Sequence, residues 1–323
     1  MRLAATALIF ALANPVGAAD IPNILAGITT SFSAFKTQTE ALDATACDDV
    51  EALRKGYHKV FDAWNTISHL RFGPMEEDER AYAMAFWPDT RGFTPKSLNG
   101  LVAAEDPVVN DRTEFAEVSI AARGLFALEQ LLYEPSFAQA GTPAYRCALI
   151  DAITGDMARI AGDLVIDWPA FAEGMLNPAP GTDFATDEDV LRALFTALST
   201  GLEFNADARL GRPLGTFDRP RPRRAEARRS GRSLLNVQQA IDALAALALQ
   251  LSDPDPALEA AIARAKGVAA ELNDPVFAGV SDPSGRNKVE ILQQSINLIQ
   301  EAVALNLGPQ LGVAAGFNAL DGD

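Results

Sequence analysis

Apolar residues recur at three- and four-residue spacing along nearly every long stretch of the chain, as in helices with one buried face. Val50, Leu53, Tyr57, Val60, Trp64 and Ile67 mark one stripe, and Ile120, Leu125, Leu128, Leu131 and Leu132 another. Cys147, Ile150, Ile153, Met157, Ile160 and Leu164 continue the pattern. Val190, Leu194, Leu198 and Leu202 follow, then Val237, Ile241, Leu244, Leu247 and Leu251, with Ile262, Leu272, Ile291, Ile296 and Ile299 in the last helices. Alternating apolar residues, β-branched runs and Asn-Gly turns are scarce, so the pattern predicts an all-α protein built from helical bundles. The stretch 176–186, LNPAPGTDFAT, is the best break, rich in proline, glycine and threonine. About four long helical segments fall on each side of it. The expected organisation is two four-helix-bundle domains, 20–176 and 187–323.

The first residues follow another pattern. One arginine precedes an apolar run from Leu3 to about Ala13, and small residues lead to Ala19. That is the layout of a cleavable secretory signal over 1–19, and the run is too short to span a bilayer. No later segment reads as a transmembrane helix. The expectation is an exported protein of the bacterial periplasm with no stable membrane insertion. The two cysteines, Cys47 and Cys147, are then naturally paired in one disulfide. Their number and spacing exclude a CxxC redox centre and a cysteine zinc site.

Cleavage after Ala19 leaves 304 residues, enough for a large core or two domains. The net charge of −16 argues against non-specific nucleic-acid binding. One segment opposes this charge. Residues 219–232 hold seven arginines and one glutamate, and Pro220 and Pro222 make the segment a loop. It is either a solvated loop docked on an acidic body or a loop that binds an anion or partner.

Candidate chemistry centres on Glu129. In RGLFALEQLL it lies in the middle of an apolar stripe, with Leu125, Phe126, Leu132 and Tyr133 three or four residues away. An unpaired buried carboxylate costs several kcal/mol, so Glu129 is neutral or held by a partner. His58, Asp62, Asn65 and His69 follow at spacings that place them on one helix face, read as a polar outer face. The two histidines, the only ones in the chain, would sit about 16 Å apart along it and cannot share one ion. After His69 come HLRFGP, where Gly73-Pro74 would end the helix, and FWPDTRG, where Asp89 and Arg91 are close enough to pair across a turn. Such a corner is structural or lines a pocket. HExxH, a Walker loop, GxGxxG and GxSxG are all missing.

Taken together, AWNTISHLRFGP (63–74), FWPDTRG (86–92), RGLFALEQLLYE (123–134), RLGRPLG (209–215), RSGRSLLN (229–236) and the tail GFNALDGD (316–323) resemble the imelysin-like, or M75 peptidase, family. The resemblance implies an exported protein of two four-helix bundles with a functional site at their interface, and links to iron uptake or to metallopeptidase activity. The family's GxHxxE motif, whose histidine and glutamate are proposed metal ligands, maps onto Gly124, Phe126 and Glu129. Phe126 stands at the histidine position and offers no lone pair, whereas a catalytic zinc usually needs three protein ligands. No catalytic residue is assigned.

The expected function is non-catalytic binding of a metal ion, iron or another divalent cation, or of a small ligand between the bundles. The alternatives are an M75-type metallopeptidase with a rearranged ligand set, or a metal-free envelope scaffold. The expected pocket draws on Glu129, His69, Arg71, Trp87, Asp89 and Arg91, with Arg232 and Ser233 from the second bundle. Glu129 and His69 are the candidate metal ligands, and Arg71, Arg91 or Arg232 the candidate ion-pair partners of Glu129. Ser230 is placed to cap the helix after it, and Arg209 to reach a carboxylate. An envelope iron-uptake component is the candidate partner.

Overall fold

A computed structural model describes residues 19–313. The expected signal segment, 1–19, lies outside the described residues but for Ala19, as does the tail stretch GFNALDGD. Among the described residues the nine helices of ten residues or more are α1 (Ile21–Asp43), α2 (Val50–Ile67), α3 (Phe93–Ala104), α4 (Gly124–Tyr133), α5 (Pro143–Leu176), α6 (Asp187–Glu203), α7 (Ser233–Leu251), α8 (Pro256–Glu271) and α9 (Pro283–Ala302). The only β-pairing among the described residues is an isolated bridge between Thr216 and Arg219.

Local sequence sets the helix starts. Asp20, Asp49, Thr142, Thr186, Asp255 and Asp282 each accept a hydrogen bond from a first-turn N–H of the helix that follows. These bonds satisfy donors that no intrahelical carbonyl can reach. Helices α1, α2, α4 and α5 pack into one bundle, and α6, α7, α8 and α9 into a second. Phe32, Phe35, Trp64 and Trp168 fill the first core with edge-on and tilted ring contacts. Cys47 and Cys147 are joined, tying the loop after α1 to the start of α5. The link between α5 and α6, 177–186, falls in the proline- and glycine-rich break.

The bundles meet where α2 lies against α7. By length and composition alone α7 would also pass as a membrane span, contrary to the reading of the sequence. It is a core helix, with Val237, Ile241, Leu244 and Ala248 buried. Two other expectations change. Helix α2 ends at Ile67, before His69 and well short of Gly73-Pro74, so His69 does not continue the face of His58, Asp62 and Asn65. That face is also not an outer one, because it is the contact with α7.

Beyond α6 the chain stays helical but widens into a π-helical stretch, Phe204–Leu210. The wider turn carries Phe204 and Arg209 to the interface. Gly201, one turn earlier, allows a close approach there. A Cβ on it would lie 2.9 Å from the Cβ of His69 and 2.6 Å from Leu244 Cδ2.

Candidate functional site

The bundle interface includes a buried polar seam and a corner with cavities around Trp87. In the seam, the Arg209 guanidinium donates to Glu226 Oε2 at 2.8 Å and to Asn65 Oδ1 at 3.2 Å. Asn236 donates to the same glutamate oxygen at 2.9 Å. Asn65 in turn donates to Asn236 Oδ1 and Gln239 Oε1. Arg232, 1% exposed, pairs with Asp62 and donates to Asn236 Oδ1 and His58 Nδ1. An arginine only donates, so His58 Nδ1 accepts, and Nε2 carries the proton that it donates to the Tyr133 hydroxyl at 3.0 Å. Burial, then the Arg232 charge, holds the His58 pKa below its ordinary value, against the pull of Asp62.

Glu129 lies on α4, 2% exposed. Its Oε1 accepts both the backbone N–H and the hydroxyl of Ser230, at 2.9 and 2.8 Å. The Tyr57 hydroxyl is 3.4 Å from the same serine oxygen. Burial raises the Glu129 pKa, while the Ser230 bonds and the charges of Arg229 and Arg228 oppose the rise. Ser230 therefore holds Glu129 and does not cap α7, whose N-cap residue is Arg232, with no side-chain capping bond. Gly124, at the start of α4, has φ +67°, and a Cβ there would lie 2.3 Å from the carbonyl oxygens of Ala83 and Met84. Only glycine fits that approach.

Glu129 faces a small pocket of about 210 Å³ lined by Trp87, Asp89, Phe126 and several arginines. On the other side of Trp87 a cavity of about 880 Å³ opens between the bundles, lined by His69, Arg71, Tyr82, Phe204 and Arg209 among others. His69 Nδ1 is buried without a hydrogen-bond partner among the described residues. Burial, helped by Arg209, lowers the His69 pKa to about 4. Arg71 lies 5.4 Å from the centre of the Tyr82 ring and spends its Nε–H on the Ser68 carbonyl. No carboxylate among the described residues lies in ion-pair contact with it. Burial lowers its pKa, countered first by Glu76.

The residues proposed from sequence thus divide. Trp87 lines both cavities, Glu129 and Asp89 the smaller, and His69 and Arg71 the larger. Arg232 and Ser233 are buried in the seam and line neither cavity; Ser233 donates to the Glu226 carbonyl. Arg91 is exposed. Asp89 does not pair with it side chain to side chain and instead accepts the N–H groups of Arg91, Phe93 and Thr94, which fixes the start of α3. None of Arg71, Arg91 and Arg232 is the partner of Glu129. Arg209 does reach a carboxylate, that of Glu226.

The donor set does not converge on one point. Glu129 and His69 open into different cavities, and Phe126, stacked on Trp87, occupies the motif's histidine position. Among the described residues the one group of three or more His, Cys, Asp or Glu side chains close enough to share an ion is Cys47, Cys147 and Asp151, whose cysteines are spent in the disulfide. The described residues at the interface do not bring together the three protein ligands that a resident metal usually needs.

An imelysin-like protein from Psychrobacter arcticum 273-4 has a similar fold, with a TM-score of 0.75 at 19% identity, covering 94% of this chain and 100% of the other. A protein from Parabacteroides distasonis ATCC 8503, described as an iron-regulated protein A precursor, follows with a TM-score of 0.64 at 12% identity, covering 87% and 91%. No curated protein sequence matches. The family model of imelysin, peptidase M75, matches residues 26–303, and the chain belongs to that family.

Proposed function

We propose that this is an exported, non-catalytic binding protein that takes a small organic anion in the cavity between its bundles. The observation that carries this reading is Arg71: a guanidinium set against Tyr82 in a cavity of about 880 Å³, without a carboxylate in contact among the described residues. A planar fork of donors matches a carboxylate in two-point fashion. The volume suits a drug-sized ligand, and Trp64, Phe72, Trp87, Phe184 and Phe204 supply apolar wall. Neutral His69 adds an unsatisfied ring nitrogen that a ligand hydroxyl or amide would satisfy. The disulfide supports export. A link to iron would come through a chelating organic anion that carries the metal in, since the chain's own donor set does not suit an ion.

The test is a thermal-shift panel of aliphatic and aromatic carboxylates, with and without ferric iron, on the wild type and Arg71→Gln. Stabilisation by a carboxylate that disappears in the variant is the expected result. Stabilisation by iron or zinc alone, abolished by Glu129→Gln, would replace this reading with direct metal binding. Cleavage of a protein substrate would replace it with a peptidase.

A further inference from the structure

The pocket beside Glu129 holds more positive charge than its neighbours neutralise. Arg212, Arg223, Arg224 and Arg229 line it. Arg229 is taken by Glu134 at 2.7 Å; the other three have no carboxylate in ion-pair contact among the described residues. The two acids in the wall do not fill that role. Asp89 is engaged by three backbone N–H groups, and Glu129 by Ser230. Arg212 lies 5.8 Å from the centre of the Trp87 ring, and its Nε is buried with no hydrogen-bond partner among the described residues. An unsatisfied, buried, charged donor is costly, and like charges held together add to the cost. The backbone around them is fixed: Arg221 N–H donates to the Pro213 carbonyl at 2.8 Å, and Ser233 Oγ to the Glu226 carbonyl at 2.6 Å. The arginines are therefore gathered around the pocket by the fold itself. A volume of about 210 Å³ has room for roughly seven waters, or one small oxyanion with part of its shell.

We propose that this pocket is an oxyanion site in which Arg212, Arg223 and Arg224, beside the Trp87 ring, take a phosphate- or carboxylate-sized anion. It gives a use to the arginine-rich loop of residues 219–232. The site is separate from the organic-anion cavity and stands if no ligand for that cavity is found.

The experiment is titration of the purified protein with inorganic phosphate and, separately, acetate, against chloride at matched ionic strength. Tryptophan fluorescence is followed, and Trp87→Phe assigns the signal. A saturable change below about 10 mM with either anion is expected, and comparing the two arms tells which chemistry the site prefers. Arg212→Gln and Arg224→Gln should each weaken the affinity about tenfold, the size of one charge-assisted hydrogen bond. Arg224 is exposed, so its variant keeps the test open if the Arg212 variant folds poorly. Glu129→Gln should tighten binding severalfold by removing a competing negative charge. Arg71→Gln should leave it unchanged. No saturable response with either anion, unchanged affinity in both arginine variants, or loss in Arg71→Gln would overturn the proposal.

Discussion

Glu226 and Glu129 are both buried carboxylates at the bundle interface, 4% and 2% exposed, yet they are held in opposite ways. Glu226 receives a guanidinium and an amide, so its charge is matched inside the seam. Glu129 receives a serine N–H and hydroxyl and no guanidinium in direct contact, and its remaining side opens to a pocket. The seam closes its polar groups on one another. The Trp87 corner leaves Arg212 Nε and His69 Nδ1 buried and without a partner among the described residues. A closed network holds two bundles together, whereas an open one has capacity left for a ligand.

The same substitution at the two glutamates is the strongest test of that contrast. Glu226→Gln would leave the Arg209 charge buried and uncompensated, and removing one member of such a pair costs about 3–5 kcal/mol. Glu129→Gln keeps an acceptor for Ser230 and loses a charge that burial already disfavours, so its cost should be about 1 kcal/mol or less. Urea unfolding of both variants measures this. Equal losses would mean that the two sites do one structural job.

Acid should separate the regions next. The folded His69 pKa of about 4 lies below the ordinary value near 6.5, so the unfolded chain takes up the proton first. Stability from this group is complete above about pH 6.5 and falls as pH drops toward 4, by up to about 3 kcal/mol. Below pH 4 the group adds no further loss. His58 is shifted in the same direction and adds to the slope. His69→Gln should flatten the decline between about pH 6.5 and 4, as read from melting temperature against pH. An unchanged slope would show that His69 is solvated and contributes nothing to the corner.

These tests also mark what periodicity can and cannot carry. Leu53, Tyr57, Val60, Trp64 and Ile67 are buried as their spacing implies, and the cost of Glu129 was legible from its apolar neighbours. Its partner was not, because Ser230 lies 101 residues away, on a loop whose composition shows only arginine. Spacing placed His58, Asp62 and Asn65 on one face but could not say that α7 would cover it. Nor does composition tell a paired arginine from an open one. Arg209, Arg229 and Arg232 meet acids, whereas Arg212 and Arg224 meet none among the described residues, and that sorting appears only once the bundles are in contact. Gly73-Pro74 is a strong local stop, yet α2 ends earlier, because the chain turns after Ile67, where His69 packs against Gly201.

The smallest stability effect belongs to Arg71. Among the described residues its one side-chain hydrogen bond is to the Ser68 carbonyl at 3.1 Å, and its stacking on Tyr82 is a further contact to be lost. Burial disfavours the Arg71 charge and offsets what its one neutral side-chain partner contributes, so Arg71→Gln should change unfolding free energy by about 0.5 kcal/mol or less. If the corner is built for a ligand, that same variant should remove carboxylate-dependent stabilisation entirely, because the fork is the group that would meet the anion. A substitution nearly silent for folding and decisive for binding is what distinguishes an open site from a seam. A large destabilisation by Arg71→Gln, with carboxylate response unchanged, would assign Arg71 to the scaffold and leave the cavity without its anchor.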